Sequence, residues 1–353
     1  MRHDTESPRA GSHGIEPAGF RLPDAAHVGA VRLQVSDLQR SIDYYERVLG
    51  LRVSVREGDA AALAAGDDLR PLVWLHAKRG IQPAPRRGAF GLYHFALLLP
   101  DRAPLGRFVA HLVRLGTRVG AADHLVSEAL YLTDPDGLGI EVYADRPQGA
   151  WRHAGRELVM TTDALDLVSL QAAGGDREWD GAPTGTVVGH VHLHVGRLEE
   201  AEAFYHSALG FDKTVWSYPG ALFFAAGTYH HHVGTNTWSP GPSATDDQAR
   251  LLDWELVVPS EESADATARS LRAAGYATEG GRAAWTAADP WGTRVRIGVV
   301  SLVAVNPQPV RASQARREAA VPSRSIRTRP TQARQRRRTR TSRNRSPDTR
   351  ARR

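Results

Sequence analysis

Apolar residues recur along the middle of the chain at two spacings, always in the same order. In residues 31–35 they stand at every second position, which predicts a strand with one buried face. Ile42, Tyr45 and Leu49 follow at helical spacing, and Gly50 stands where helices commonly end. Further strand-like runs come next. The pattern therefore predicts a unit of one strand, one helix and several strands.

This unit is repeated along the chain. Similar sequences begin at Val31 (VRLQVSDLQRSIDYYERVLGL) and, 160 positions later, at Val191 (VHLHVGRLEEAEAFYHSALGF). A second pair begins at Tyr93 (YHFALLLPDRAPLGRFVAHLVRLG) and, 159 positions later, at Leu252 (LDWELVVPSEESADATARSLRAAG). Because two separate segments share nearly one offset, the sequence predicts a duplicated domain.

Each half of the duplication holds two units, which predicts four βαβββ modules and an α+β fold. The modules are expected near residues 28–80, 90–146, 187–238 and 250–300. A first domain is expected at residues 23–150 and a second at 187–305, with a linker over 151–186 that admits a helix within 161–173. Tight turns beginning at Asp134 (DPDG) and Asp289 (DPWG) precede the last strand of two modules.

Both ends of the chain lack apolar periodicity. Residues 1–22 are predicted to be a disordered leader and residues 306–353 a disordered, Arg-rich tail. The tail holds 16 Arg against two acidic residues, so it carries +14 and leaves −8 of the total +6 for residues 1–305. An arginine run can touch nucleic acid nonspecifically, but we expect a solvated tail without a specific nucleic-acid partner.

Composition narrows the candidate chemistry. There are no cysteines, which excludes disulfides, thiolate metal sites and cysteine nucleophiles. No run approaches the roughly 20 apolar residues that a membrane helix needs, and residues 1–20 lack the apolar core of a secretory signal. We therefore expect a cytoplasmic protein without membrane contact. Any metal must be held by His, Asp and Glu.

Three stretches resemble the vicinal-oxygen-chelate superfamily of glyoxalases, bleomycin-resistance proteins and extradiol dioxygenases. They are YHFALLLP, DHLVSEALYLTDPDGLGIEVYADRP and ALFFAAGTYHHHVGTNTW. The resemblance is closest to two-domain catechol 2,3-dioxygenases and covers about residues 26–300. It implies open, barrel-like domains and an Fe(II) site, although Mn(II) also suits the same donors. The implied reaction inserts O₂ into a catechol-like diol and gives a muconic semialdehyde.

The family holds its metal with two histidines from first strands and one glutamate from a last strand. Carried onto this sequence, the resemblance implies His94 from the second module, Glu141 from the same module and His190 from the third. Two histidines and one carboxylate form the facial triad that leaves open positions on Fe(II). His192, in the same GHVHLHV run, is an alternative to His190.

The other two modules do not match this pattern. Ala30 stands where His190 would align, Asp253 stands opposite His94, and an arginine, Arg296, stands opposite Glu141. The three implied ligands lie in different halves of the duplication. A single metal can therefore contact all three ligands if module two pairs with module three and module one pairs with module four. Alternatively, two chains could supply the two halves.

The resemblance also implies groups beside the metal. Tyr131 would meet the substrate hydroxyl and donate to a developing oxyanion. His231 would take a proton from the diol, since the pKa of histidine suits this role. An alignment shifted by one residue would assign this role to His230 or His232 instead. His124 would be a further neighbour of substrate or oxygen. If the YHHHV run is a strand, His230 and His232 face one way and His231 the other; the three could instead form a second metal site.

Two other function classes fit the same fold. A glyoxalase-like isomerase or lyase would carry more carboxylate ligands, and a bleomycin-resistance-like binder would need no triad. The sequence therefore favours an extradiol dioxygenase acting on a small aromatic diol and O₂, expected as a homo-oligomer.

Overall fold

Strands and short helices occupy most of the described residues, which are 13–85, 88–239, 241–282 and 284–299 of a computed structural model. The predicted Arg-rich tail over 306–353 lies outside these ranges, as do residues 1–12 of the predicted leader. None of the helices in this part of the chain combines the length and apolar character needed to cross a membrane.

The first half of the chain holds two βαβββ modules and the connection that follows them. Module one consists of β1 (His27–Val35), α1 (Leu38–Arg47), β2 (Arg52–Glu57), β3 (Ala60–Ala64) and β4 (Val73–Ala77). Module two consists of β5 (Gly91–Leu98), α2 (Arg102–Leu115), β6 (Gly120–Asp123), β7 (Ser127–Thr133) and β8 (Gly139–Asp145). The connection contains a 3-10 turn (Gln148–Ala150), β9 (His153–Ala154), β10 (Glu157–Leu158) and α3 (Leu167–Ala173).

The second half repeats the order. Module three consists of β11 (Val187–His194), α4 (Leu198–Ala201) continued by a π-helix (Glu202–Ala208), β12 (Asp212–Val215), β13 (Ala221–Ala225) and β14 (Val233–Asn236). Module four consists of β15 (Arg250–Val257), α5 (Glu261–Ala273), β16 (Thr278–Gly281), β17 (Ala284–Ala288) and β18 (Arg294–Gly298). The predicted α+β class and the four βαβββ modules are confirmed.

The modules pair across the midpoint of the chain. β5 runs antiparallel to β11, which joins modules two and three in the order β12-β13-β14-β11-β5-β8-β7-β6. β1 runs antiparallel to β15, which joins modules one and four in the order β16-β17-β18-β15-β1-β4-β3-β2. We name them sheet 2–3 and sheet 1–4. This is the pairing that the three implied ligands require within one chain, so each sheet combines both halves of the sequence repeat.

Sheet 2–3 is curled, and the connection between its modules bridges its two edges. Asp163 pairs with Asp123 of edge strand β6. The Glu157 carboxylate accepts hydrogen bonds of 2.6 Å from the backbone N–H groups of Trp216 and Ser217, directly after edge strand β12. Residues 157–163 span at most about 25 Å, so the edges must approach each other. We call residues 151–163 the strap.

The strap makes the linker more structured than its polar sequence suggests. The helix admitted within 161–173 occupies only its second part, because α3 begins after Asp166, whose carboxylate accepts a 2.9 Å bond from Ser169 N–H. The preceding residues pair with β6 instead. Order also extends into the expected leader: Ile15 pairs with Lys213 of β12, and Leu22 is buried.

Two tyrosines tie the helices to the tight turns. Tyr45 of α1 donates from Oη to Asp134 Oδ2 at 3.4 Å, and Tyr205 of the π-helix donates to Asp289 Oδ2 at 2.8 Å. Asp134 Oδ1 also accepts from the backbone N–H of Asp136 and Leu138, both at 2.9 Å. The DPDG and DPWG turns therefore hold the start of β8 and β18 in place relative to the helices.

Candidate metal centre and its surroundings

The histidines of β11 alternate with Val191, Leu193 and Val195, which enter the main hydrophobic core. Val188 and Val191 both enter that core although they are three positions apart, because the register with β5 shifts at Gly189. A Cβ on Gly189 would lie 1.9 Å from Tyr143 Oη, so only glycine fits. By alternation with Val191, His190 lies on the opposite, concave face of sheet 2–3, which we call the cup.

A second register shift acts on β5. Leu92 and Phe95 both pack on the main core, so Tyr93 and His94 between them face the cup. On β8 the alternation is regular: Ile140 enters the core and Glu141 points into the cup. The two register shifts thus change the faces of Val188 and Tyr93, whereas regular alternation directs the three implied ligands into the cup.

The three implied ligands meet at one point of the cup. Glu141 Oε2 lies 3.0 Å from His94 Nε2 and 3.3 Å from His190 Nε2, and all three ligand atoms lie within 4.8 Å of one another. The three residues are 2–5% exposed. Within the described part of the chain they form the only such cluster of His, Asp or Glu ligand atoms. We call His94, Glu141 and His190 the candidate triad.

The distances between these ligand atoms fit the binding of one shared cation better than hydrogen bonds between the side chains. Two ligand atoms about 2.1 Å from one metal, at right angles, are about 3 Å apart. His94 Nε2 is buried and makes no hydrogen bond with the described residues, despite lying 3.0 Å from the carboxylate. Leaving such a nitrogen unsatisfied costs about 1–3 kcal/mol, which a bound divalent cation would offset. The donor set and its geometry therefore fit the metal that the resemblance implies.

The protonation states also suit ligands. Burial lowers the pKa of His94 and of His190, so both imidazoles offer a free lone pair. Burial alone would raise the pKa of Glu141, but its contacts with His190 and His94 outweigh burial and hold that pKa well below its ordinary value. The candidate triad is thus one carboxylate and two neutral imidazoles.

Tyr131 lies opposite Glu141 in the β7–β8 pairing, with its ring 5.5 Å from that of His94. Its Oη is 2.6 Å from His124 Nε2, and His124 Nδ1 is 2.6 Å from the carbonyl oxygen of Thr161 in the strap. A carbonyl only accepts, so Nδ1 donates to it, and a neutral His124 then accepts the phenol hydrogen at Nε2. Burial raises the pKa of Tyr131 well above its ordinary value, so the phenol stays protonated.

His231 lies beside the candidate triad. Its ring centroid is 4.2 Å from that of His190 and 4.9 Å from that of Phe223, and the residue is 5% exposed. His232 points elsewhere: it packs on Phe211, and its Nδ1 accepts a 3.1 Å bond from Ala226 N–H.

The structure differs from the strand alternation expected for the YHHHV run. β14 begins only at Val233, so residues 229–232 are irregular backbone. His230 therefore does not share a direction with His232. Its Nδ1 lies 2.7 Å from His231 Nδ1, and its Nε2 lies 2.9 Å from Asp145 Oδ1. No local pattern in the sequence indicated Asp145, because its partner His230 is 85 residues away and is brought to it by the β5–β8 and β5–β11 pairings.

Aromatic side chains surround the mouth of the cup. The His192 ring packs between those of Tyr93 and Trp238, with ring centroids 5.2 Å and 5.6 Å away. Its Nε2 is buried without a hydrogen bond to a described residue. A Cβ on Gly234 would lie 2.9 Å from the His192 ring, so this glycine makes room for it. Trp238 is 46% exposed at the rim. A cleft of about 450 Å³ opens beside His94, lined in part by these aromatics.

Comparison with known proteins agrees with this architecture. The family model described as the Glyoxalase/Bleomycin resistance protein/Dioxygenase superfamily matches residues 26–142 and 187–297. Catechol-2,3-dioxygenase of Bacillus subtilis (strain 168) is 42% identical over 274 residues, which cover 76% of this chain and 95% of that protein. Glutathione transferase FosA of Serratia marcescens is 28% identical over 111 residues, covering 31% of this chain and 75% of its own.

A solved crystal structure shares the fold. It is that of a proposed dioxygenase from Bacillus subtilis subsp. subtilis strain 168, with a TM-score of 0.56 and 14% identity, covering 80% of this chain and 86% of its own. The matches span both halves of the duplication, including every strand that carries the candidate triad. The chain therefore belongs to the glyoxalase/bleomycin resistance protein/dioxygenase superfamily, as a dioxygenase-like enzyme related to catechol-2,3-dioxygenase.

Proposed function

We propose that the protein is an Fe(II)-dependent extradiol dioxygenase that opens the ring of a catechol-like diol. The candidate triad carries this proposal, because two neutral imidazoles and one carboxylate converge at 3.0 and 3.3 Å in a buried cup. The 42% identity with a catechol-2,3-dioxygenase supports the substrate class. Both oxygen atoms of O₂ enter the product, and the ring bond next to the diol breaks to give a muconic semialdehyde.

His94, Glu141 and His190 would hold the metal. Fe(II) held by these residues would supply the redox chemistry that the reaction of a diol with O₂ requires. Mn(II) accepts the same donors. The protein contributes a dry, shaped cup: sheet 2–3 forms its wall, the strap closes its edges, and aromatic side chains at the rim can stack on the ring of the diol.

His231 takes a proton from the diol in this proposal. The side chain is buried next to His190, and burial first, then the neighbouring His190, lowers its pKa well below the ordinary value. It is therefore neutral before substrate enters and has a lone pair to offer. Neutral imidazole also avoids placing a second positive charge beside the metal.

The role of Tyr131 in this proposal differs from the one that the resemblance alone implies. Its hydrogen is directed to His124 Nε2 at 2.6 Å, so its oxygen faces the cup as an acceptor. We propose that it accepts a hydrogen bond from the second hydroxyl of the diol, while His124 and the Thr161 carbonyl hold the phenol in place. The strap thus orients a substrate contact as well as closing the cup.

Reconstitution tests the function directly. The purified protein is loaded anaerobically with Fe(II), mixed with a series of catechols, and followed by O₂ uptake and by the yellow ring-opened product. We expect one O₂ consumed per product with Fe(II), and none with the metal-free protein. An isomerase would turn over without O₂, and a binding protein would give no product. Metal binding without O₂ uptake on any diol would contradict the proposal.

A further inference from the structure

His230 is a buried imidazole that touches neither the candidate triad's ligand atoms nor the rim. It is 0% exposed, and both its ring nitrogens have partners. Nε2 lies 2.9 Å from Asp145 Oδ1, and Nδ1 lies 2.7 Å from His231 Nδ1. Asp145, His230 and His231 therefore form a continuous hydrogen-bonded chain that ends beside the metal site.

The direction of each hydrogen bond follows from the chemistry of the partners. A carboxylate only accepts, so His230 Nε2 carries the hydrogen shared with Asp145. A neutral imidazole has one N–H, which leaves His230 Nδ1 bare. The 2.7 Å contact then requires the hydrogen on His231 Nδ1, and His231 Nε2 is left as the free acceptor.

We propose that Asp145 and His230 are positioning residues that fix His231 in the tautomer with a bare Nε2. The inference rests on the proposed function, in which His231 Nε2 receives a hydroxyl proton from the diol. Without the two partners, an isolated imidazole would place hydrogen on either nitrogen and would donate where it has to accept.

The surrounding structure holds this chain of groups rigidly. Asp145 lies on β8, four residues after Glu141 and on the same face of the strand. The Trp151 ring of the strap lies 5.4 Å from the His230 ring, and the Tyr229 ring lies 4.1 Å from it. Tyr229 is itself fixed by a 2.6 Å bond between its hydroxyl and that of Tyr143. The aromatic cover keeps competing water from His230.

The proton balance needs no further reactant. The O–H bond of the diol breaks and an N–H bond forms at His231 Nε2, while the Nδ1–H bond stays directed at His230. The negative charge of Asp145 offsets the resulting imidazolium through His230. The proton returns to the ring-opened product, which restores the starting tautomer.

The tautomer is measured in the metal-free protein, independently of activity. Long-range ¹H–¹⁵N correlation spectra of ¹⁵N-histidine-labelled protein distinguish Nδ1–H from Nε2–H rings, and His231→Asn identifies the His231 signals. We expect Nδ1–H for His231 in the natural protein. In Asp145→Asn, whose amide can donate to His230, and in His230→Phe, which keeps the ring shape, the Nε2–H form should appear.

Kinetics of the Fe(II)-loaded variants give the second readout. Both variants should lower kcat about 10- to 100-fold, with KM and bound metal near their natural values. His232→Asn is the matched control, because it removes the neighbouring buried imidazole but keeps an acceptor for Ala226 N–H. Its tautomer spectrum for His231 and its kcat should match the natural protein. The melting temperature of each variant shows that it is folded.

The two readouts separate failure of this inference from failure of the proposed function. An Nε2–H signal for His231 in the natural protein, or variants with unchanged tautomer and kcat, would overturn the positioning role. If the natural protein cleaves no diol, the proposed function fails, and the spectra alone still decide whether Asp145 and His230 set the tautomer.

Discussion

Sheet 2–3 and sheet 1–4 have the same strand order and very different interiors. The positions of sheet 1–4 that correspond to the candidate triad hold Asp253, Arg296 and Ala30. Arg32 occupies the centre of this interior, with Nη1 2.8 Å from Asp253 and Nη2 2.8 Å from Glu255. One guanidinium is paired with two carboxylates at the place where the other sheet gathers ligands.

The difference shows that the scaffold does not dictate the chemistry of its concave face. In sheet 2–3, the Nε2 atoms of His94 and His192 are buried without hydrogen bonds to described residues. Both nitrogen atoms are therefore available to bind a ligand. In sheet 1–4, both terminal nitrogens of Arg32 are already bound. A duplicated fold can thus keep one half as a site and let ion pairing stabilise the other.

The largest expected effect separates the two sheets by metal content. His94→Ala should lose bound metal and lower diol cleavage by about 10³-fold or more, because the missing ligand is worth several kcal/mol. Asp253→Ala, the corresponding change in sheet 1–4, should keep the metal stoichiometry. Elemental analysis and O₂ uptake measure both. A His94→Ala protein that retains metal and turnover would contradict the prediction that only sheet 2–3 binds the metal.

The next effect tests whether sheet 2–3 holds catalytic groups beyond the ligands. His231→Gln should retain the metal and lower kcat about 10²- to 10⁴-fold, as expected when a general base is removed. Single-turnover rates of iron-loaded protein at saturating diol measure it. A loss confined to KM would instead make His231 a binding residue.

A third prediction concerns the stability of sheet 1–4. Arg32→Met leaves Asp253 and Glu255 mostly buried without their cation, which should lower the free energy of unfolding by about 3 kcal/mol. Denaturant titration measures the loss. Metal content and kcat of the folded fraction should stay unchanged, since this interior lacks the candidate triad. A large fall in kcat at full metal loading would show that the two sheets are coupled.

The smallest expected effect is a pH-dependent change in the free energy of unfolding, and it involves the two tight turns. Burial raises the pKa of Asp134 from its ordinary value to about 7, and burial also raises the pKa of Asp289. Because the folded-state pKa of Asp134 exceeds that of the unfolded chain, its stabilisation is full below about pH 4 and is lost as pH rises through 7.

Asp134→Asn imitates the protonated acid at every pH. Relative to the natural protein, this variant should have a higher free energy of unfolding at pH 8. The difference between the two proteins should be about 2 kcal/mol larger at pH 8 than at pH 5. Denaturant titrations at both pH values give the difference. Asp289→Asn should change in the same direction, and equal stability profiles for Asp134→Asn and the natural protein would contradict the assignment.

Local patterns in the sequence were sufficient to predict the modules, whereas the candidate ligands came from the family resemblance. The alternation in residues 31–35, the helical spacing after it and the repeat near 160 residues predicted βαβββ units, because each depends on neighbours within one element. The need for one metal to reach three residues in two halves also predicted that module two pairs with module three, or that two chains supply the halves. The cytoplasmic location and the homo-oligomer remain predictions from the sequence.

Long-range pairings decided the rest. Only the antiparallel pairing of β5 with β11 brings His190 close to His94, which lies in the other half of the chain. Asp145 and His230 meet across 85 positions, and Thr161 reaches His124 only because the strap spans the curled sheet. The sequence by itself determined which chemical groups the chain carries and in which elements. Only the tertiary structure decided which of them meet, because hydrogen-bond partners far apart in sequence depend on register, curvature and packing.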